Sequence, residues 1–218
     1  MIRASPARGG AFLLIQPRVY QRAQTRMKTP FFTGRGDDGR SRVGSRAVSK
    51  HHAYLVVLGA LDEVNSYLGL ARTEAARAFP AHRAGDLVPE HELLDMQQAL
   101  FTAQAEIAAL AFGSPKGAPP QVADAHVRVL EALIRRVDAL LPPLHSFVVP
   151  GGTELAARLD LARTVARRAE RAVSVLSALT PLRQPLLAFM NRLSSALFAL
   201  ARYANHYSGV HEEHPHYE

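Results

Sequence analysis

Residues 92–112 read ELLDMQQALFTAQAEIAALAF, in which Leu93, Met96, Leu100, Ala103, Ile107 and Leu110 fall at alternating steps of three and four. Steps of that length return every side chain to the same side of an α-helix, whereas a half-buried strand repeats at every second residue. The stretch reads as a helix with one buried stripe. The spacing recurs in 53–79 (Leu58, Leu61, Val64, Leu68) and in 121–141 (Val122, Val129, Leu133, Val137). It returns in 153–179 (Leu155, Leu159, Ala162, Ala166, Ala169, Val173, Leu176) and in 184–206 (Leu186, Phe189, Leu193, Leu197, Leu200).

Breakers separate these segments: AFPAHRAGDLVP, GSPKGAPP, LPPLHSFVVPGG and LTPLRQP. Short connections between long amphipathic helices favour antiparallel packing. The predicted fold is all-α: an antiparallel five-helix bundle of ferritin-like, four-helix-bundle type, preceded by a Gly-rich loop over 31–50. No segment has strand alternation, although FVV at 147–149 suits a short extended stretch. Thr153, after PGG, is placed to cap the fourth helix, with Glu154 at its positive end.

The formal charge is +7. Five of those charges belong to Arg3, Arg8, Arg18, Arg22 and Arg26, in a leader without any acid. What remains is close to balanced, which weakens nucleic-acid binding as a reading. Residues 1–30 form a basic leader expected to be disordered, either a transit-like peptide or an upstream extension of a start at Met27. Cysteine is absent, so disulfides, thiolate zinc sites and cysteine nucleophiles are excluded. No run of about eighteen apolar residues occurs, and a soluble protein is expected, cytoplasmic or, with a genuine transit peptide, in an organellar matrix. The end of the chain, HEEHPHYE, reads as a disordered His-rich tail over 207–218.

Candidate chemistry sits in three places. The loop TGRGDDGRSRVGSRAVSK, Thr33 to Lys50, offers glycine N–H groups together with Ser41, Arg46 and Lys50, the makings of a phosphate cradle. It is not a Walker A loop, because GxxxxGK[ST] is missing. Asp37 and Asp38 suit a hydrated Mg²⁺ that travels with a nucleotide. Second, LARTVARRAER at 161–171 sets Arg163, Arg167 and Arg171 four apart. Like charges at that spacing cost a few tenths of a kcal/mol per pair in an isolated helix. Partners are needed so close to a core, and Asp62 or triphosphate oxygens are the candidates. Third, Asn191–Arg192 interrupts an apolar helix far from its ends, where capping cannot explain it. Glu-x-x-His pairs and G-x-S-x-G are both missing, which argues against a di-iron oxidase and a serine hydrolase.

Taken together, FFTGRGDDG, GSRAVSK, GALDEVNSYLGLAR, FVVPGGTELAARLDLARTVARRAERAV and LLAFMNRLSSALFALARYAN resemble the trimeric, five-helix type of ATP:cob(I)alamin adenosyltransferase, in order from about residue 31 to 205. The resemblance implies a homotrimer with ATP between subunits and transfer of the 5′-deoxyadenosyl group to cobalt, releasing triphosphate. ATP, Mg²⁺ and cobalamin as substrate are implied, with a reductase as electron donor and no membrane or nucleic-acid partner. Thr33, Gly34, Arg35, Gly36, Ser41 and Lys50 are then the phosphate ligands on one side. Arg167, Arg168, Glu170, Arg171 and Asn191 meet the nucleotide from the other. Asp62 pairs with Arg163 at the subunit interface on the corrinoid side, and these two with Arg167 form the catalytic group. Phe147 lies where the family sets an aromatic ring under the corrin, displacing the lower axial ligand. Arg40, Tyr54 and Val56 depart from the family pattern, and they motivate an alternative: a catalytically impaired cobalamin- or ATP-binding relative serving as carrier or regulator.

Overall fold

The described residues hold a two-stranded hairpin followed by five helices: β1 (Arg40–Val43), β2 (Arg46–Ser49), α1 (Ala53–Ala78), α2 (Pro89–Phe112), α3 (Asp124–Asp138), α4 (Glu154–Leu179) and α5 (Gln184–Tyr207). The computed structural model describes residues 31–32, 34–43, 46–80, 87–114 and 117–217. The chain divides into two units, Met1–Asp38 and Gly39–Glu218. In the first, the predicted leader and Thr33 lie outside the described residues, and 34–38 form turns in which Gly34 and Gly36 adopt φ of 65° and 91°.

Two helices start where the sequence supplies a clear reason. Thr153 Oγ1 accepts from Ala156 N at 3.1 Å, which makes it the cap of α4 as anticipated, and Glu154 opens the first turn. Pro89 opens α2, Glu90 and Glu92 face its positive end, and Gly113 ends it at φ 76°. In the second unit α1 packs on α2 and α4, α4 on α5, and α3 on α5. Leu61, Leu68, Leu93, Leu100, Leu159, Leu186 and Phe189 are fully buried at these seams. On α4 the buried positions include Ala156, Ala162, Ala166 and Ala169, whose small side chains let its neighbours approach closely.

Three expectations need correction. The loop over 31–50 contains an antiparallel hairpin, with Ser41 opposite Val48 and Arg42 opposite Ala47. Its strands are four residues long and carry arginines, so they give no alternation to detect. Val129 is exposed, while the other predicted stripe residues Val122, Leu133 and Val137 are buried, and Val127 and Leu130 join them on the buried side of α3. Leu110, in the last turn of α2, is exposed as well.

A buried carboxylate ties distant segments together. Glu106 of α2 accepts from Val122 N at 2.7 Å, and Arg183, before α5, donates to Val122 O at 3.1 Å. Tyr54 takes a packing role: it stacks on His52 at 5.6 Å and meets the Phe112 ring edge-on at 6.2 Å. No helix among the described residues is long and apolar enough to cross a membrane.

Candidate active site

Beside the first half of α4 and the second half of α5, the second unit holds a cavity of about 670 Å³. Apolar side chains form much of its wall: Ile134 and Val137 of α3, Leu141, Leu144 and Phe147 of the following loop, and Phe198 and Ala199 of α5, with Asp138, Ser194 and Ser195 among them. Arg163 and Arg167 enter it from α4, and Arg202 from α5. Three residues singled out for two different reasons, the arginine pair and the aromatic Phe147, thus share one cavity. The Phe147 side chain is 78% exposed, an unusual position for a phenylalanine unless something else covers it.

Arg163 is fixed by its own helix. Its Nε donates to Asp160 Oδ1 at 2.9 Å, and the guanidinium carbon stands 5.8 Å from the centre of the Phe198 ring, within reach of a cation–π attraction. Asp160 Oδ2 also accepts from Gly151 N at 3.2 Å, coupling the arginine to the loop that bears Phe147. Within one chain, then, Arg163 pairs with Asp160 and not with Asp62. Asp62 is exposed on α1 and makes no ion pair among the described residues. The pairing that the family resemblance implies is one between subunits.

Arg167 and Arg171 lie on the same ridge as Arg163, each step of four residues rising about 6 Å along the axis. Both are exposed and neither makes an ion pair among the described residues. Arg167 does not pair with Glu170, three residues on, although that spacing would allow a helical ion pair. Glu170 Oε1 instead accepts from Asn191 Nδ2 at 3.0 Å, while Asn191 Oδ1 accepts from Arg192 and Arg192 Nε reaches Glu131 at 3.1 Å. The structure therefore joins Glu170 and Asn191, two of the predicted nucleotide residues, in one network across α4 and α5.

Arg168 turns to a different neighbour. One residue round the helix from Arg167, it faces α1 and forms a salt bridge with Glu63. That carboxylate, by its hydrogen bond first and its charge second, holds the guanidinium above its ordinary pKa. Arg168 does not line the cavity. On the hairpin, Ser41 is half-buried, Lys50 is exposed, and Lys50 N donates to Gly39 O at 2.9 Å. The carboxylates of Asp37 and Asp38 are exposed.

Sequence reasoning missed Asp160, Phe198, Arg202 and Asn205. Asp160 carried a signal, since it stands three residues before Arg163, the spacing of a helical ion pair. Asn205 carried none. It is buried, donates to Gly151 O at 2.9 Å and accepts from Thr153 N at 2.9 Å, bracing the PGG turn from the far end of the chain.

A mainly helical unit whose cavity is bordered by three arginines, of which Arg167 makes no ion pair among the described residues, sets apolar wall beside positive charge, an arrangement suited to a flat apolar group next to an anion. The chain belongs to the cobalamin adenosyltransferase family, whose model matches residues 31–204. It is 41% identical over 176 residues to the corrinoid adenosyltransferase PduO of Salmonella typhimurium, covering 78% of this chain and 48% of that protein. The corrinoid adenosyltransferase of Mycobacterium bovis is 36% identical over 180 residues, covering 81% and 89%. This chain spans about half the length of the PduO proteins of Salmonella typhimurium and Citrobacter freundii. Among solved structures, a phenylalanine-to-histidine variant of the PduO-type ATP:corrinoid adenosyltransferase from Lactobacillus reuteri, complexed with cobalamin and ATP, superposes with a TM-score of 0.73 at 30% identity, covering 85% of this chain and 96% of that one. An arginine-to-lysine variant from the same organism, complexed with ATP, gives 0.71 at 28% identity, covering 85% and 99%.

Proposed function

We propose that this protein transfers the 5′-deoxyadenosyl group of ATP to the cobalt of a reduced corrinoid, releasing triphosphate. Family membership supports the reading, and one observation in this chain carries it: Phe147, Arg163 and Arg167 line the same cavity. Cob(I)alamin is itself a strong nucleophile. Its metal-centred electron pair attacks C5′ of ATP, a Co–C bond forms, and the C5′–O bond breaks with its electrons passing to triphosphate. No protein base is needed. The protein's work is to align the two substrates and to meet the charge that grows on the departing oxygen. Arg167, exposed and without an ion pair among the described residues, is free to do so. Arg163, held by Asp160, shapes the corrinoid side, and Phe147 covers the lower face of the ring so that no axial ligand donates to cobalt and Co(II) is easier to reduce.

The nucleotide lies between subunits of a homotrimer. Ser41 and Lys50 grip the phosphates from one subunit, with Thr33, Gly34, Arg35 and Gly36 assigned to the same task on the family pattern alone. Arg167, Arg171, Glu170 and Asn191 face it from the next. Mg²⁺ arrives with ATP; it keeps most of its waters and takes phosphate oxygens, so a single carboxylate such as Asp37 is all that the protein need offer. A separate reductase supplies the electron that makes Co(I). The test is direct: purified protein with ATP, Mg²⁺ and chemically reduced cobalamin should develop the light-sensitive spectrum of an alkylcobalamin. Binding of both substrates without conversion would instead establish the carrier or regulator reading.

A further inference from the structure

Phe147 sits in a segment without regular structure between α3 and α4, so its backbone hydrogen bonds must be found outside the segment itself. They come from the end of the chain. Beyond α5, Gly209 turns with φ 69°, Val210 N donates to Asn205 O at 2.9 Å, and the following residues run back along the Phe147 segment. Val149 N donates to Glu213 O at 2.8 Å. His214 Nδ1 lies 2.9 Å from Phe147 O and 2.9 Å from Ser146 Oγ. A carbonyl only accepts, so Nδ1 carries the proton and donates to Phe147 O.

A buried ion pair anchors this contact. Arg202 Nε reaches both oxygens of Glu212, at 3.1 and 2.9 Å, and Arg202 Nη2 donates to Pro142 O at 3.3 Å. The Arg202 side chain is only 9% exposed. One buried guanidinium thus holds the start of the Phe147 loop and the returning tail together, and it also lines the cavity. The expectation of a disordered tail over 207–218 overlooked these partners, because His, Glu and Pro in a polar run give no periodic signal.

We propose that residues 210–214 are a positioning strap for Phe147, clasped by Glu212 on Arg202 and completed by the His214 hydrogen bond to the Phe147 carbonyl. The inference rests on the role given to Phe147 above. His214 touches no substrate. It acts by keeping the Phe147 backbone in the one arrangement that presents the ring to the corrin. Its loss should therefore slow the step that needs the ring, reduction from Co(II), and spare alkylation begun from Co(I).

The experiment uses the full chain with His214→Ala, His214→Asn, Glu212→Gln and Phe147→Ala. Two quantities are read: hydrogen exchange of the peptide spanning 146–149, and turnover started either from Co(II) with reductant or from pre-formed Co(I). For His214→Ala we expect exchange at 146–149 to rise about tenfold, as for loss of a local closing interaction. Turnover from Co(II) should fall about fivefold or more, the scale of one lost hydrogen bond, with the Co(I) rate changed less than about twofold. His214→Asn, whose amide can donate at the same place, should recover both quantities. Glu212→Gln should shift both in the same direction as His214→Ala, and combining His214→Ala with Phe147→Ala should be no worse than Phe147→Ala alone. Unaltered exchange, equal losses in the two assays, or failure of Asn to rescue overturns the strap. If Phe147→Ala acts on the Co(II) assay and His214→Ala does not, the strap alone is wrong. If Phe147→Ala is itself silent, the role of Phe147 falls and takes the positioning role of His214 with it.

Discussion

At the scale of single residues, the sharpest contrast is between Arg163, whose Nε is held by Asp160 at 2.9 Å, and Arg167, one turn on, which makes no ion pair among the described residues. A guanidinium fixed in place positions; an unpaired one can meet charge that appears only during reaction. Arg167→Ala should lower turnover roughly a hundredfold or more, the scale of one preorganised donor lost from a transition state. Arg167→Lys should fall between the two, because an ammonium keeps the charge without the two-pronged geometry. Steady-state assays from Co(I) decide, and unchanged turnover in the alanine variant would return the stripe to solvent. Glu92 makes a different residue-scale case. It is half-buried in a second cleft of about 340 Å³ with Met96, His126 and Phe189. Burial, the largest influence, raises its pKa above the ordinary 4.5, and Arg136 at 3.2 Å pulls the other way. A carboxyl whose folded pKa is raised binds a proton more readily in the fold than in the unfolded chain. Its contribution is therefore most favourable below the unfolded value and is lost as pH rises through the folded one. Glu92→Gln does not titrate at this position. The variant-minus-wild-type difference in Tm should be more positive at about pH 7 than at about pH 4, and equal differences would contradict the assignment.

Between elements, the site depends on how the α3–α4 loop is pinned. Gly152 adopts φ 97°, and a Cβ there would lie 2.7 Å from Cγ of the buried Asn205. Gly152→Ala must strain the backbone by about 1 kcal/mol and displace the hydrogen bonds of Asn205, for a total of about 2–4 kcal/mol. Denaturant unfolding measures this directly, and a loss below about 1 kcal/mol would mean that the turn re-forms without Asn205. The same loop shows where sequence reading reaches its end. The helices were legible because Leu93, Met96, Leu100, Ala103 and Ile107 repeat with a period that only a helix satisfies. Thr153 was legible as a cap because capping is local. Arg163, Arg167 and Phe147 could be named one by one. Their convergence on one cavity could not, since Arg202 and Asn205 hold the loop by pairing with Pro142, Gly151 and Thr153, more than fifty residues away, and such pairings leave no period. The hairpin of Arg40–Val43 and Arg46–Ser49 was hidden for a related reason, as strands so short and charged carry no alternation.

For the whole molecule, the row along α4 is the feature that a lone chain leaves unexplained. Arg163, Arg167, Arg171, Val175 and Leu179 follow one another at steps of four, and Val175 and Leu179 are 65% and 69% exposed. A ridge that passes from unpaired cations to uncovered apolar side chains suits a face closed by another copy, with a polyanion bound at its charged end. A ring of identical subunits in head-to-tail contact brings one surface of each against a different surface of the next. If the nucleotide is gripped by Lys50 of one subunit and Arg167 of its neighbour, two inactive variants should rescue each other. Chains carrying Lys50→Ala and chains carrying Arg167→Ala, co-expressed with different tags and purified through both, would restore a site wherever an intact Lys50 meets an intact Arg167. In a trimer, every mixed assembly that passes both purifications holds one such junction among its three sites, so it should regain about a third of wild-type turnover. If both residues serve a site within one chain, every site keeps a lesion and the mixture stays at the level of the single variants. Sedimentation of the wild-type protein as a monomer in the presence of ATP would remove the premise itself, because the unpaired arginines and the apolar end of the ridge would then face only water.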